Sequence, residues 1–394
     1  MSEPSRYDQR GVSATKEEVH QAIKGLDKGL FTNAFCKVIP DYAALDPAYC
    51  NLMHADTAGT KTSLAYLYWK ESGDLSVWTG VAQDAIVMNL DDMACVGCTD
   101  SFVLSSTIGR NKGLVPGEVV ATLIQAAAVF ADAMQAYGIH IHLAGGETAD
   151  VGDIVRTVDV GYTAFARMKR EEVLEINLRP GDVVVGLASY GKATYENSYN
   201  GGMGSNGLTS ARHDVLSGVY AQKYPESFDP QLPPSLAYSG SRLLTELVDT
   251  PEGPVPVGKL ILSPTRTYLP FLKPFIAQHR RDIHGIVHCT GGGQGKVLKF
   301  LQGKNRVVKD ALLPVPPLFH LIQSESGASW KEMYQVFNMG HRLELYLPQE
   351  LALAAIAQAA ALGIEAAVIG RVEPADKAQV IVESPYGRFE YEER

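Results

Sequence analysis

Hydrophobic and polar positions change in blocks along the chain, and these blocks predict both helices and strands. Residues 115–137 are rich in alanine, contain a Pro-Gly pair near their start and stop before Gly138, which is typical of a helix. The short apolar run 139–144 and the alternating segment 156–167 predict strands, as does the apolar run 183–188. Since helices and strands mix throughout, the pattern predicts an α+β or α/β protein.

Composition changes near residue 170, and this change marks the predicted boundary between two domains. The charged run 169–172 follows the first group of predicted strands, and a Pro-Gly turn precedes the next apolar run. A chain of 394 residues is too long for one ordinary core, because a domain holds roughly 150 residues. We therefore predict an N-terminal domain over residues 1–168 and a C-terminal domain over residues 169–394.

Charge and cysteine content limit the classes of partner and compartment. The net charge of -9, from 35 Lys and Arg against 44 Asp and Glu, argues against a broad basic face for nucleic acid or anionic membranes. The five cysteines are odd in number and scattered, which fits a reducing compartment better than a disulfide framework. Cys95 and Cys98 form a lone C-x-x-C without further zinc ligands nearby, so we interpret them as buried residues. We expect a cytoplasmic protein without nucleic-acid or membrane partners.

One apolar segment, residues 351–369, has to be distinguished from a membrane span. It consists mostly of alanine, contains Gln358 and Glu365, and is interrupted by Gly363. A span needs about 20 strongly apolar residues. The segment instead predicts a helix that ends at Gly363, followed by a short buried strand.

A glycine-rich segment, Gly202 to Gly207, matches the letters of a dinucleotide-binding motif. The motif has that meaning only between a strand and a helix, and here a polar loop precedes it, so a Rossmann site is not predicted. Its second half, Ser205-Asn206-Gly207, precedes a predicted helix over residues 208–216. These residues can either cap that helix or bind a phosphate, and the sequence leaves both interpretations open.

A second glycine run, Gly291 to Gly293, is followed by Gln294-Gly295-Lys296 and is similar to a P-loop. The match fails because Thr290 stands where the motif has glycine and Val297 stands where it has a metal-binding hydroxyl. A mononucleotide fold of the P-loop type is therefore excluded. Glycines still allow the backbone to approach a ligand closely, so phosphate binding stays possible.

Acidic residues recur at the predicted junctions between elements. They occur in three segments, which are His54 to Lys61, Asn89 to Met93 and Gly145 to Asp150. Carboxylate oxygens bind Mg²⁺ against nucleotide phosphates, and a lysine can neutralise those phosphates. Each residue taken alone is as well explained by a cap or a turn. Their common occurrence suggests a site for a nucleotide and a metal.

Taken together and in this order, the segments resemble phosphoribosylformylglycinamidine cyclo-ligase, the aminoimidazole ribonucleotide (AIR) synthetase family of purine biosynthesis. That family runs D-G-V-G-T-K, N-D-L, G-G-E-T-A-E, H-S-N-G, A-P-T-R-x-Y, H-x-T-G-G-G and E-M-x-x-x-F-N-x-G. The match spans about residues 7 to 372 with order preserved. The corresponding segments here are Asp56 to Lys61, Asp91 to Met93, Gly145 to Asp150, Ser205 to Gly207, Ser263 to Tyr268, His288 to Gly293 and Glu332 to Gly340.

Several positions depart from the family pattern, which identifies the chain as a divergent branch. The family histidine before S-N-G is Gly204 here, preceded by an extra loop of about residues 190–202. The family segment after the triple glycine is replaced by residues 294–299, and G-[IV]-G-M has become Gly340-His341-Arg342-Leu343. Other departures are Thr57 for a glycine, Asp91 for the family asparagine, and an N-terminal motif that keeps only Tyr7, Gly11 and Val12.

The resemblance implies an α+β fold of two domains, in which the N-terminal sheets of two subunits pair into a barrel across a homodimer, with ATP bound near the barrel. It implies the conversion of formylglycinamidine ribonucleotide (FGAM) and ATP to AIR, ADP and phosphate. ATP would phosphorylate the formamide oxygen, and an internal nitrogen would then displace phosphate and close the imidazole ring. In such a reaction the protein mainly positions the reactants and neutralises the charge of the phosphates.

The resemblance also implies roles for individual residues. Mg²⁺ would be held by Asp56, Asp92 and Glu147, and these three with Lys61 would be the catalytic residues. ATP would be bound by Gly59, Thr60, Lys61, Asp92, Gly145 and Gly146. The substrate or its phosphate would be bound by Ser205, Asn206, Gly207, Thr265, Arg266, Thr290, Gly291, Gly292 and Asn338. With the family histidine missing, His288 and His341 are candidates for a general base.

Other functions remain as alternatives. A selenophosphate synthetase usually carries a reactive cysteine in an N-terminal glycine-rich loop, and residues 1–30 contain no cysteine. A hydrogenase-maturation dehydratase needs a C-terminal cysteine, whereas this chain ends in Glu-Glu-Arg. A thiamine-phosphate kinase is a further relative. A nucleotide-binding scaffold without turnover belongs to a different class, and the histidine missing at Gly204 motivates it.

Overall fold

Two β-sheets organise the chain, one in each half of the sequence. The computed structural model describes residues 9–12, 17–301 and 305–392. The N-terminal half contains a five-stranded sheet in the order β1-β2-β5-β3-β4. Its strands are β1 Val38–Pro40, β2 Tyr49–Thr57, β3 Phe102–Arg110, β4 Ile141–Asp150 and β5 Val158–Lys169. The pairs are antiparallel except β3 with β4, which are parallel and joined by a helical crossover.

Helices cover one face of this sheet and leave the other face open. The helices of this half are α1 Glu17–Ile23, α2 Lys61–Ser72, α3 Ser76–Ala94 and α4 Gly117–Gln135. Helix α3 packs on β2 and β5, and its buried residues include Trp78 and Ile86. Met53 and Val103 are exposed on the opposite face. Successive side chains of a strand point to opposite faces, so every second side chain packs into the core and the others lie on the open face.

The predicted helix over residues 115–137 is confirmed as α4, and the strand after it is longer than predicted. We expected a strand over residues 139–144 that ends before the Gly-Gly-Glu segment, but β4 continues through that segment to Asp150. The pairing register with β3 shifts between Leu104 and Ser106, and Gly145 lies opposite this bulge with a φ of 91°. Glycine tolerates that left-handed conformation, so the strand bends without ending.

The C-terminal half contains a seven-stranded sheet in the order β11-β13-β6-β14-β12-β15-β16. Its central strand β6 is buried along its whole length, as the predicted apolar run requires. The strands of this half, with two short pairs outside the large sheet, are β6 Val183–Ala188, β7 Tyr190–Gly191, β8 Asn200–Gly201, β9 Leu247–Thr250, β10 Gly253–Pro256, β11 Gly285–His288, β12 Asn305–Lys309, β13 His341–Leu347, β14 Ala366–Pro374, β15 Gln379–Ser384 and β16 Gly387–Glu392.

Helices of this half pack around the sheet and include both helices that the sequence predicts. The helix expected after Gly207 is α5, and the helix expected before Gly363 is α11, after which β14 follows. Gly363 has a φ of 70°, as a helix-terminating glycine does. The helices are α5 Leu208–Val215, α6 Val219–Lys223, α7 Val257–Ile261, α8 Leu269–His279, α9 Pro317–Ser326, α10 Trp330–Val336 and α11 Gln349–Ala361.

The extra loop of residues 190–202 lies across the C-terminal domain as a folded segment. Its two ends form the antiparallel pair β7 and β8, and the backbone N–H of Ala193 donates to the Glu196 carboxylate. Elsewhere in the described chain, α4 is apolar and long enough to cross a membrane by length and composition alone, and 33% of its apolar window is buried. A core-facing helix passes the same criterion.

Candidate functional site

Lys61 joins the two domains and is fully buried at the start of α2. Its Nζ donates to Asp84 Oδ1 at 2.8 Å, to the Ser263 carbonyl at 2.6 Å and to the Gly204 carbonyl at 3.2 Å. An ammonium has three donors, and all three are used. In this arrangement no donor of Lys61 is left for a phosphate, and contact of Lys61 with a phosphate stays a prediction. Lys61 instead positions the loop that contains Gly204.

Asp84 is the partner of Lys61, and the sequence analysis missed it. It lies on α3 with no exposed surface, and it also accepts hydrogen bonds from the Thr265 backbone N–H and hydroxyl at 2.7 and 2.5 Å. Burial lowers the pKa of Lys61 and raises the pKa of Asp84, while the ion pair opposes both shifts. The available signal was a lone carboxylate among the apolar neighbours of residues 80–90. The Thr265 backbone and hydroxyl are thus committed to the domain interface.

Arg266, predicted to bind substrate, is also fully engaged. Its Nε and Nη2 donate to the Glu196 carboxylate at 3.0 and 2.5 Å, and Nη1 donates to the carbonyls of Ala188 and Tyr190. Burial acts to lower the pKa of Arg266, but the hydrogen bond and charge of Glu196 outweigh it and raise that pKa. Glu196 belongs to the extra loop, so the loop supplies the counter-ion of a buried arginine, and Arg266 is a structural residue here.

Asn338, another predicted substrate ligand, holds the loop beside the site. Its Nδ2 donates to the carbonyls of Gly202 and Met203 at 2.8 and 3.1 Å. Its Oδ1 accepts from the Ser189 hydroxyl and the Gly340 backbone N–H, both at 2.9 Å. An amide side chain has two donors and one oxygen with two acceptor positions, and these contacts use them all. These contacts position the loop, and direct contact of Asn338 with substrate stays a prediction.

Of the two adjacent carboxylates on α3, Asp92 lies toward the cleft and Asp91 lies in the core. Asp91 accepts from the Thr267 hydroxyl and the Tyr268 backbone N–H, and burial raises its pKa. Asp92 contacts His288 Nδ1 at 2.7 Å, and its side chain is 13% exposed. Burial acts to raise the pKa of Asp92, but the hydrogen bond from His288 opposes burial and helps to lower that pKa. Asp92 is therefore an ionised carboxylate at the site.

His288 is held between Asp92 and Arg342, which fixes its hydrogen-bonding roles. The Arg342 Nε–H, which can only donate, lies 3.0 Å from His288 Nε2. Nε2 must then accept, and Nδ1 carries the proton that it donates to Asp92. His288 is fully buried, so it positions Asp92 rather than reaching a substrate. His341 is also buried, which lowers its pKa, and its Nε2 lies 3.4 Å from Glu344 Oε1.

The structure does not bring the three predicted Mg²⁺ carboxylates together in one chain. Asp56 lies on β2 two residues from His54, whose Nε2 is 3.5 Å from Asp92 Oδ2, so Asp56 and Asp92 approach one region. Glu147 pairs with Thr107 on β3, and both are in register with Thr57 on β2 through the intervening strand β5. Paired residues share a face of the sheet, and Asp56, next to Thr57, points to the other face. Glu147 and Asp56 therefore lie on opposite faces, three strands and roughly 14 Å apart. No three metal-binding side chains cluster anywhere in the described ranges.

Gly145 and Gly146 belong to the edge strand rather than to the cleft. A Cβ on Gly146 would lie 2.1 Å from the Ser106 hydroxyl oxygen and 2.3 Å from its carbonyl oxygen. Close packing of β4 on β3 thus requires glycine there. Their predicted role in binding ATP is not supported within one chain, because the strand alternation places this edge away from α3.

Loops from both domains meet between the start of α2 and the glycine run Gly291 to Gly293, and we call this region the cleft. The hydroxyls of Thr60 and Thr209 share a hydrogen bond of 2.9 Å, and those of Ser205 and Thr265 share one of 3.2 Å. A Cβ on Gly291 would lie 3.5 Å from Asn206 Nδ2. The structure therefore brings together many of the residues predicted to bind phosphate. This phosphate-loop cluster consists of Gly59, Thr60, Ser205, Asn206, Gly207, Thr265, Thr290, Gly291 and Gly292.

The cluster is built to approach a ligand with backbone and hydroxyl groups. Gly207 precedes α5 with a φ of 77°, and no side chain caps that helix. Ser205, Asn206, Gly291 and Gly292 are partly exposed. Of the two interpretations of Ser205-Asn206, side-chain capping is therefore excluded. Backbone amides and hydroxyls without a nearby nucleophile favour binding and positioning of an anion over covalent catalysis.

Cysteine chemistry is not favoured at this cleft. Cys289 lies beside the glycine loop, but burial raises the pKa of its thiol well above the usual value. Burial does the same for Cys36 and Cys95. A buried, protonated thiol is a poor nucleophile. The described cysteines therefore do not resemble the reactive cysteine of a selenophosphate synthetase.

Two family models match the chain, one in each half of the sequence. Residues 38–168 match the family model described as "AIR synthase related protein, N-terminal domain", and residues 179–383 match "AIR synthase related protein, C-terminal domain". A phosphoribosylformylglycinamidine cyclo-ligase of Methanosarcina barkeri is 27% identical over 358 residues, which cover 87% of this chain and 89% of the relative. A protein of the same name from Thermosynechococcus vestitus is 29% identical, covering 80% and 79%.

Solved structures share the fold at low sequence identity. A chain of the HypE–HypF complex has a TM-score of 0.52 and 14% identity, covering 97% of this chain and 99% of that one. PurL of T. maritima complexed with ATP has a TM-score of 0.51 and 12% identity, covering 96% of this chain and 48% of that chain. At such identities these neighbours show that the fold is common to several proteins.

Proposed function

Because the chain belongs to the AIR synthase related protein family, we propose that it is an ATP-dependent cyclo-ligase that converts FGAM and ATP to AIR, ADP and phosphate. Relatives named as cyclo-ligases align over most of the chain and support this reaction. The observation that carries the proposal is the convergence of Thr60, Thr209, Ser205 and Thr265 from both domains at one cleft. Such an arrangement can hold a phosphorylated substrate and a nucleotide at once.

In the proposed reaction the protein binds and orients two anionic ligands. The formamide oxygen of FGAM attacks the γ-phosphorus of ATP, and ADP leaves. An internal nitrogen of the amidine group then attacks the activated carbon, phosphate leaves with the former formamide oxygen, and loss of a proton gives the aromatic ring. The Thr60 and Ser205 hydroxyls and the backbone amides of Gly291 and Gly292 would hold phosphate oxygens. Asp92, ionised and positioned by His288, would lie near the reacting groups.

Mg²⁺ would accompany ATP, but one chain does not form the predicted three-carboxylate site for it. Asp56 and Asp92 are the predicted ligands on the cleft side of the sheet, and Glu147 lies on the other face. The ion would supply charge neutralisation on the nucleotide. The residues described above would bind and orient the organic substrate without it.

We propose that two chains form a homodimer through the open face of the N-terminal sheet. Met53, Phe165 and Val103 lie in register across β2, β5 and β3 on that face. Met53 is 66% exposed, and it lies beside other apolar side chains. An exposed group of apolar side chains is typical of an interface. The edge strand β4 is also largely exposed. Pairing of two such sheets would produce a barrel across the dimer, and would present Glu147 to the second chain.

The function is tested by incubating purified protein with FGAM, ATP and Mg²⁺ and measuring ADP and AIR together. Equal amounts of both products are expected. ADP without AIR would contradict ring closure and indicate another phosphoryl transfer. A cytoplasmic location follows as an expectation from this reaction, since its reactants are phosphorylated metabolites.

A nucleotide-binding protein without turnover is the second candidate. The specific observation in its favour is that Lys61 and Arg266 are committed to Asp84 and Glu196. Neither cation is available to a phosphate in this arrangement. The same assay distinguishes this candidate, which binds ATP and forms neither product.

A further inference from the structure

The cations deepest in the cleft have protein partners. Lys61 and Arg266 form the buried ion pairs described above. Arg342 donates to His288 Nε2 and to the carbonyl of Arg266, and its guanidinium lies 5.4 Å from the centroid of the Tyr268 ring. A ligand phosphate that enters the cleft therefore needs another source of positive charge.

Lys296 has the location and the exposure for that role. It lies in the 3-10 helix Gly293–Phe300, which follows Gly291 and Gly292 directly. Its side chain is partly exposed, and its ammonium forms no hydrogen bond or ion pair with any residue of the described ranges. Its Nζ is 5.4 Å from the centroid of the Phe35 ring, which stacks on Phe300. The aromatic pair supports the ammonium without neutralising it.

The backbone beside Lys296 presents further donors. A Cβ on Gly292 would lie 3.8 Å from the Lys296 Cα and 3.9 Å from its Cδ, so the glycine loop and the lysine side chain are adjacent. Within the described chain, the N–H groups of Gly291 and Gly292 donate to no backbone carbonyl. Successive amides of this kind form a concavity that binds anions.

We propose that Lys296 binds a phosphoryl group of a ligand in this cleft, together with the backbone N–H groups of Gly291 and Gly292. The inference rests on the proposed function in that the ligands are a nucleotide and a sugar phosphate. Lys296 lies in the segment that departs from the family pattern, so this contact is particular to the divergent branch. The phosphoryl group belongs either to the nucleotide or to the ribose 5-phosphate part of the substrate.

Binding measurements separate these two sources. Calorimetric titrations would use the Mg²⁺ complex of AMPPNP, a non-hydrolysable ATP analogue, and ribose 5-phosphate, each added to the full chain. The variants are Lys296→Ala, Lys296→Arg and the control Lys70→Ala. Lys70 is exposed and lies 5.3 Å from the centroid of the Trp69 ring, so the control removes a similar cation–aromatic contact outside the cleft.

We expect Lys296→Ala to lower the affinity for one probe by about tenfold or more, because a charge-assisted hydrogen bond is lost. Lys296→Arg should recover part of that loss, and Lys70→Ala should bind both probes as the wild type does. A loss confined to AMPPNP assigns Lys296 to the nucleotide, and a loss confined to ribose 5-phosphate assigns it to the substrate. Unchanged affinities, or a wild type that binds neither probe, would overturn the proposal.

The outcome of these titrations does not depend on the outcome of the activity assay. A wild type that makes no AIR, but binds a probe in a manner that depends on Lys296, would contradict the cyclo-ligase and support the phosphoryl site. A wild type that makes AIR, but binds the probes equally well without Lys296, would support the cyclo-ligase and contradict the phosphoryl site.

Discussion

The guanidinium of Arg342 lies directly against the backbone of Gly204. A Cβ on Gly204 would lie 3.1 Å from Arg342 Nη1 and 3.5 Å from its Cδ. The two positions are also two departures from the family pattern, a glycine where histidine is usual and an arginine where glycine is usual. In this chain the Arg342 side chain occupies the space between the loop and strand β13 that faces Gly204.

This coupling predicts that substitutions at the two positions are not additive. Gly204→Ala should destabilise the wild type by about 1–3 kcal/mol, because of the contact with Arg342 and a φ of 71°. In an Arg342→Ala background the same change should cost about 1 kcal/mol less. Urea denaturation of the four proteins measures the difference. An equal cost in both backgrounds would show that only the backbone conformation matters.

The Lys61–Asp84 pair predicts a large loss of stability when one partner is neutralised. Asp84→Asn leaves a buried ammonium without its counter-ion, so the free energy of unfolding should fall by about 3–5 kcal/mol. The matched control is Asp74→Asn, which breaks the more exposed pair with Lys259 and should cost about 1 kcal/mol or less. Equal effects of the two variants in chemical denaturation would contradict the structural role of Lys61.

The Arg266–Glu196 pair predicts that the folded conformation of the extra loop depends on the charge of Glu196. Glu196→Gln should loosen residues 190–202, because the buried arginine loses its counter-charge and one of the two acceptor oxygens at residue 196 is replaced by a donor. Limited proteolysis should then cleave this loop faster than in the wild type. Glu392→Gln removes an exposed partner of Lys377 and serves as control. A loop that resists protease equally in both variants would argue against this anchoring.

Glu344 predicts a dependence of stability on acid pH. Burial acts to raise its pKa, but Lys309 and His341 outweigh burial and lower the pKa from 4.5 to about 2. A carboxyl whose pKa is lower in the folded state stabilises the protein above its unfolded pKa. That contribution should be complete above about pH 5 and should disappear as the pH falls toward 2. The stability difference between wild type and Glu344→Gln, measured by urea unfolding, should shrink over this range.

The open face of the N-terminal sheet predicts a solution dimer. Met53→Lys would place a charge in the proposed interface, so light scattering should detect a shift from dimer to monomer without a large loss of monomer stability. Leu353→Lys is the control, since Leu353 is 77% exposed on α11 in the other domain. A wild type that is monomeric at micromolar concentration would contradict the dimer.

Much of the architecture could be predicted from local patterns. The periodicity and the terminating glycines identified α4, α5 and α11, because amphipathic spacing and left-handed glycines act over a few residues. The extent of β4 was missed. A bulge at Gly145 continues the strand only because β3 is available to pair with it.

The order of the motifs along the chain was enough to identify the family and the loops that meet at the cleft. The partners of individual charged residues depended on the tertiary structure. Lys61, Arg266 and Asn338 match motif positions, yet their donors are used by Asp84, Glu196 and Gly202, which lie far from them in sequence or in an inserted loop. Buried polar groups must be paired, and only the packing of the two domains determines which groups come within hydrogen-bonding distance. For the same reason, Lys296 could be distinguished from the other cations of the site only in three dimensions.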